Sequence, residues 1–440
     1  MIVGMVKTNY FSEIFKNLSF RQIIYKLNNR RFWRDSGLLI LANVIVTLLG
    51  LIRTPVMTWV LPKEEYGMIG TVSAWMPFLQ LLSLSGMDSA AFHYVAKNIP
   101  WAYFKNISIR LRWSLLSAIG FIGLSIYWHF HAQTNLAILF LVTGISYPLT
   151  TGLTVIPNVL AAKENYKSLF YYRILESLVD FTGFIPLVLS SWIYSRIVSF
   201  YTANQLAAMI MQISYCIWIA NKLRQKEIAP PTPEEDHEFV TYGKHLTLIS
   251  GISVLQQRTD ALFVSALLPL ETMADYSIGL IVAEQFKRLW IIYTNIRYPR
   301  LVKMPTERRV KRIWYEGAAI WGGFILVLLF VVILAHFFIP IILPSNYVNS
   351  IILIDLLSLG FVIGVPGLIV ETYFRTEQKA KQQYYLRISA AIINIICPIL
   401  FITAFGVKGA AIGKILSNAV MSIMGVILLI LETKYVFPKS

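Results

Sequence analysis

Charge is what this chain has least of. Only 14% of its residues are Asp, Glu, Lys or Arg, against 56% hydrophobic, whereas soluble domains carry about 25% charged residues. With a mean hydropathy of +0.62, that ratio excludes a water-soluble globule. Cysteine is nearly missing. Cys216 and Cys397 fall in apolar stretches and read as small apolar residues, which excludes a disulfide framework or a thiolate metal site. The histidines, His93, His129, His131, His237, His245 and His336, form no metal-spaced set; His129 and His131 offer two ligands at most. No glycine-rich phosphate loop precedes a Lys and a Ser or Thr, so ATP does not drive the chain directly. No cofactor is expected. A cleavable signal is excluded because the apolar run from Leu38 is too long and starts too far in. A membrane glycosyltransferase or polymerase usually needs a substantial soluble loop or paired carboxylates beside a watery face, and every outer loop here spans roughly ten residues or fewer.

Long apolar runs are what the chain has instead. About twelve are long enough to cross a roughly 30 Å hydrocarbon core. They cover 36–60, 67–91, 112–130, 136–160, 168–193, 197–220, 242–267, 274–298, 313–339, 350–373, 384–405 and 409–432. The expected fold is all-α and polytopic. Of the 39 Lys and Arg, the loops on one side hold only Lys63, Arg196 and Lys408. The positive-inside rule then puts both termini in the cytoplasm. A net charge of +16 follows from that topology and from anionic lipid headgroups, so a nucleic-acid partner is not expected. Residues 1–35 form a basic N-terminal segment. Within it Phe11, Ile14, Phe15, Leu18, Ile23, Ile24 and Leu27 are spaced for an interfacial amphipathic helix over 11–31.

The stretch 221–241, with Pro230, Pro231 and Pro233, reads as a cytoplasmic linker. It separates a six-span half, 36–220, from a second, 242–433, with a tail at 434–440. The halves echo each other. Leu61-Pro62-Lys63-Glu64-Glu65-Tyr66-Gly67 after the first span has a counterpart in Leu268-Pro269-Leu270-Glu271 and Asp275-Tyr276-Ser277 after the seventh. Likewise Lys163-Glu164-Asn165-Tyr166, leading to Tyr171-Tyr172-Arg173, is matched by Thr376-Glu377-Gln378-Lys379, leading to Tyr384-Tyr385-Leu386-Arg387. Duplicated halves are a transporter design, with the site between them and access alternating as they rock.

Several residues carry a resemblance to a known family. The stretch Leu49–Asn98 has a first span ending in an acidic Tyr-Gly turn, then Gly86, Asp88, Ala90, Ala91 and a basic exit at Lys97. Asp260 leads into a further acidic turn, Tyr298-Pro299-Arg300 closes the eighth span, and Gly406-Val407-Lys408-Gly409-Ala410-Ala411 opens the last. In their order these resemble the polysaccharide flippases, the O-antigen and capsule exporters of the multidrug/oligosaccharidyl-lipid/polysaccharide superfamily. The similarity extends over about residues 36–432, and Ser277 departs from it where many relatives have Gly. The resemblance implies a MATE-like flippase in a bacterial cytoplasmic membrane, moving an undecaprenyl-diphosphate-linked oligosaccharide between leaflets. It also implies membrane lipids, H+ or Na+, and a polysaccharide polymerase with its chain-length regulator as partners.

Intramembrane charges are the site candidates, because each needs a partner or a watery cavity. Arg53, Arg258, Lys414 and Arg288 are candidate cavity cations for the diphosphate. An arginine offers a fixed charge and a fork of donors suited to phosphate. Their alternative is structural: Arg258 paired with Asp260 or Glu284, and Arg53 with Asp88 or Glu65. Glu176 and Asp180 share one face of the fifth span and are candidate ion-coupling carboxylates, with Asp260 and Asp88; pairing of Glu176 with Arg173 is the alternative. Glu284, Lys287 and Arg288 either pair among themselves or line the inner mouth, and Asp355 and Glu371 are isolated acids of the tenth span. A drug/cation antiporter of the same superfamily has the same layout and would want acids in its cavity. A lipid II flippase usually carries more spans. From other classes come an enzyme of glycan assembly and a scaffold for a glycosyltransferase.

Overall fold

The protein is seen in a computed structural model that describes residues 30–189, 195–224, 230–302, 304–377 and 379–436. The amphipathic segment expected at 11–31 lies almost wholly outside these residues. Among them all regular structure is helical. The N-terminal half holds α1 (Arg30–Val60), α2 (Lys63–Leu82), α3 (Met87–Ala96), α4 (Trp101–Phe130), α5 (Thr134–Thr150), α6 (Val155–Ala162), α7 (Tyr166–Val179), α8 (Phe184–Leu189) and α9 (Arg196–Arg224). The C-terminal half holds α10 (Pro233–Leu267), α11 (Leu270–Val302), α12 (Thr306–Ile342), α13 (Ser350–Thr376), α14 (Ala380–Phe405) and α15 (Val407–Val436).

Each expected span falls on a helix or a helix pair, and three are broken. The second is α2 and α3, bent by 62°; the fourth is α5 and α6; the fifth is α7 and α8. By length and apolarity, eight helical stretches among the described residues can cross a membrane, or nine with the bent pair. The chain is therefore a multi-pass membrane protein. The stretches that fall short of the test are α7 with α8, α10 and α11. They carry Arg173 and Glu176, Gln256 to Asp260, and Glu284 to Arg288. α7 and α8 are each too short by themselves, whereas the charges of α10 and α11 need a partner or a watery surface rather than lipid.

The lipid-facing surface is explicit on α1 and α12. Ile40, Leu48, Ile52 and Trp59 of α1 are exposed, as are Leu326, Phe330, Ile333 and Phe337 of α12, an arrangement that suits hydrocarbon as solvent. The segment read as a linker is shorter than expected, because α10 already begins at Pro233. Proline is tolerated at the first helical position, where its missing N–H would have no partner. Thr232 caps the helix: its hydroxyl accepts from Glu235 N, and the Glu235 carboxylate accepts from Thr232 N, a reciprocal capping box.

A central cavity between the halves

The halves meet at both ends of the bundle. At the basic end, which carries the start of α10, Gly86 N donates to Thr247 Oγ1 at 3.0 Å. Gly86 and Gly243 let α3 and α10 touch; a Cβ at Gly86 would stand 2.3 Å from Thr247 N. Phe239 packs edge-on to Tyr94 and Trp101, and Lys105 pairs with Asp236 at 2.8 Å. At the opposite end α2 lies on α11. A Cβ at Gly67 would stand 1.9 Å from the Leu270 carbonyl oxygen. Lys63 pairs with Asp275 at 2.8 Å and donates to Asn346 O at 2.6 Å, and the Tyr66 and Tyr347 rings meet edge to face.

Between these contacts lies a cavity of about 500 Å³ lined by α1, α2, α7, α10 and α11. Its ionisable lining is Arg53, Asp180, Arg258, Glu284 and Arg288, beside Tyr66. Arg53 Nη1 pairs with Asp180 Oδ2 at 3.0 Å within the N-terminal half. Arg258 pairs with Glu284 within the C-terminal half. Arg288 Nη1 donates to Thr47 Oγ1 at 2.9 Å, across the seam between α11 and α1. Three arginines thus face two carboxylates, and the cavity keeps an excess of positive charge. The structure brings together Arg53, Arg258, Arg288 and Asp180. Arg53 takes neither Asp88 nor Glu65 as partner, because the turn that ends α7 delivers Asp180 to it.

The other expected site residues lie elsewhere. Glu176 is exposed on α7, and Arg173 Nη1 donates to Asn43 Oδ1 at 3.4 Å. Asp88 is buried inside the N-terminal half, bound to the fully buried Arg110. Asn106 and Thr154 also donate to it, at 3.0 and 3.1 Å. Arg110 in turn donates to Ser83 Oγ, Thr154 Oγ1 and Thr151 O. This network ties the break between α2 and α3 to the break between α5 and α6, where backbone groups lose their helical partners. Arg110 is a site residue that the sequence pattern does not single out; the acid Asp88 within a span, which needs a cation, is the signal that points to it.

Asp260 and Lys414 form the core of the C-terminal half. Lys414 Nζ donates to Asp260 Oδ1 at 3.0 Å and to the Gln256 and Gln257 carbonyls at 3.1 and 2.7 Å. Tyr276 and Asn394 donate to the same carboxylate. Glu371 is held by Arg387. Asp355 has His336 Nε2 at 3.7 Å. Among the described residues no group of three or more His, Cys, Asp or Glu could hold a metal ion.

The fold is similar to that of solved transporters of the MOP superfamily. An inward-facing multidrug-resistance MATE transporter of that superfamily superposes with a TM-score of 0.64 at 14% identity, over 88% of this chain and 95% of that one. An outward-facing structure of the same kind gives 0.59 at 14% identity, over 92% and 97%. The lipid II flippase MurJ, in an inward closed conformation, gives 0.62 at 15% identity, over 90% and 87%. No curated protein sequence matches the chain. The model of the polysaccharide biosynthesis protein family matches residues 32–304, and the chain belongs to that family.

Proposed function

We propose that the protein is a flippase, not an enzyme, that moves a lipid-linked oligosaccharide across a bacterial cytoplasmic membrane by alternating access. The substrate class is an undecaprenyl-diphosphate-linked repeat unit for surface polysaccharide, O-antigen, capsule or exopolysaccharide. The observation that carries this reading is the central cavity, where three arginines outnumber two carboxylates. A cationic drug would favour the reverse excess. The diphosphate competes with Asp180 and Glu284 for Arg53 and Arg258, exchanging one set of charge-assisted hydrogen bonds for another. The lipid chain stays in the bilayer. α1 packs mainly on α7, so the seam between α1 and α11, bridged by Arg288 and Thr47, is where a tail passes. The basic end faces the cytoplasm, as the Lys and Arg distribution requires. The carboxylate that diphosphate binding frees, Asp180, with Glu176 near it on the same helix, couples transport to a proton or sodium gradient. Polymerase and chain-length regulator would take the glycan at the far face.

The test is translocation of a fluorescent lipid-linked oligosaccharide in proteoliposomes. Arg258→Ala is expected to slow it about tenfold or more, since a hydrogen bond to a charged group is worth roughly 1.5–3 kcal/mol. Arg258→Lys should recover part, because charge stays while the bidentate fork is lost. Wild-type vesicles that move the lipid no faster than protein-free ones would refute the function. Loss of the Arg258→Ala protein from the membrane would make the residue a structural partner.

A further inference from the structure

A second cavity adjoins the first, inside the C-terminal half. It has a volume of about 190 Å³ and lies among α10, α11, α13, α14 and α15, with no lining residue from the N-terminal half. Arg258, Glu284 and Leu280 line both cavities and form the wall between them. At about 30 Å³ per water, the volume corresponds to roughly six waters, too little for an oligosaccharide and enough for one sugar ring.

The charges of this cavity do not balance. Its cations are Arg258, Lys287, Arg387 and Lys414. Arg258 has Glu284, Arg387 has Glu371 and Lys414 has Asp260. Lys287, half-buried, donates to the amide oxygen Oε1 of Gln257 at 2.5 Å, and among the described residues no carboxylate forms an ion pair with it. Glu284 stands one turn earlier on α11, already engaged by Arg258. A lysine at such depth costs about 2.5–3.5 kcal/mol to insert, and an anion beside it offsets that cost. The rest of the wall is built for a ring. The Trp290 indole, packed against Tyr293 and Phe324, and Phe361 offer apolar faces. Gln256, Gln257 and Asn418 bring amides that match hydroxyl groups.

We propose that this cavity is a subsite for an acidic sugar of the transported glycan, with Lys287 binding the sugar's carboxylate and Trp290 stacking on its ring. The proposal rests on the flippase reading and names its substrate more narrowly. The diphosphate is not the occupant. It must remain at the junction with the lipid chain, near the seam between α1 and α11, whereas this cavity lies behind the Arg258–Glu284 wall. Lys287 is here a specificity-determining residue, separate from the arginines that meet the diphosphate.

Two measurements test it. In the first, purified protein is titrated with a methyl glycoside of glucuronic acid and with that of glucose, reading quenching of indole fluorescence. The expected result is binding of the glucuronide about tenfold tighter than the glucoside, a difference retained in Lys287→Arg and lost in Lys287→Gln. Equal binding of the two glycosides by wild-type protein would overturn the proposal, as would an unchanged preference in Lys287→Gln. In the second, proteoliposomes are given lipid-linked disaccharides ending in glucuronic acid or glucose, and the ratio of their rates is taken. That ratio should favour the acid in wild type and fall towards one in Lys287→Gln. Transport without acid preference overturns the subsite and leaves the flippase standing. Selective glucuronide binding without transport of either lipid leaves the subsite standing and removes the flippase.

Discussion

Gly67 and Gly86 let the halves touch at the two ends of the bundle, and alanine at each should wedge open its own end. An alanine methyl at Gly67 would lie 1.9 Å from the Leu270 carbonyl oxygen. Carbon–oxygen contacts of that kind settle at about 3.3–3.6 Å, so α2 and α11 must part by roughly 1.5 Å. At Gly86 the obstacle is again backbone, Thr247 N at 2.3 Å and Leu246 C at 2.5 Å, and no side chain can swing away. Overpacking of this order costs about 1–3 kcal/mol. Applied to one of two alternating contacts, it shifts the balance between open states by about 5–150-fold. Ser73, which lines the cavity, is the reporter: Ser73→Cys in a background with Cys216 and Cys397 replaced, labelled by an impermeant maleimide in vesicles of each orientation. Gly67→Ala should raise labelling from the end opposite the basic one, and Gly86→Ala from the basic end. Gly409→Ala is the control. Its methyl would meet the Phe401 carbonyl at 2.0 Å, within the C-terminal half, so it should lower stability without favouring either side. Gains on the same side from both gate variants, or no gain from either, would refute the two-gate arrangement.

Arg110→Leu should sharply lower the amount of protein in the membrane, since leaving Asp88 charged and unpaired costs about 3–5 kcal/mol; Arg110→Leu with Asp88→Leu should recover much of it, as read by immunoblot and detergent melting. Cysteines at Glu64, Ala132 and Ser345 should react with an impermeant thiol reagent added outside cells, and one at Glu234 should not; the reverse pattern would invert the orientation. Glu176→Gln with Asp180→Asn should make translocation in proteoliposomes insensitive to an imposed proton or sodium gradient; unchanged sensitivity would take both out of the coupling step.

The helices themselves were legible because lipid asks little of sequence beyond length and apolarity. The breaks were not. Ser83 to Gly86 and Thr151 to Thr154 sit within apolar surroundings, and partners distant in sequence, Arg110 and Thr247, supply the hydrogen bonds that steady those interruptions. Pairings were readable as a demand, since each intramembrane charge needed an opposite, but not as an address. Arg258 could be matched to Glu284 because both were placed near the same depth of neighbouring spans. Arg53 could not be matched to Asp180, because the end of α7 had to be known before that carboxylate could be aimed. The Lys63–Asp275 pair escaped for a related reason: each was visible in its own turn, while the closure that joins the two turns belongs to the assembled halves.

α10 runs 35 residues without a break, about 52 Å at 1.5 Å per residue, far more than the hydrocarbon thickness. Its first turns pack on α3 of the other half, and its far end holds Gln256, Gln257 and Asp260 around the Lys414 ammonium. An unbroken helix of that length would serve as a stiff lever, with one arm on α3 and the other on the polar cluster around Lys414. A displacement of its first turns would then be delivered as a tilt at that cluster.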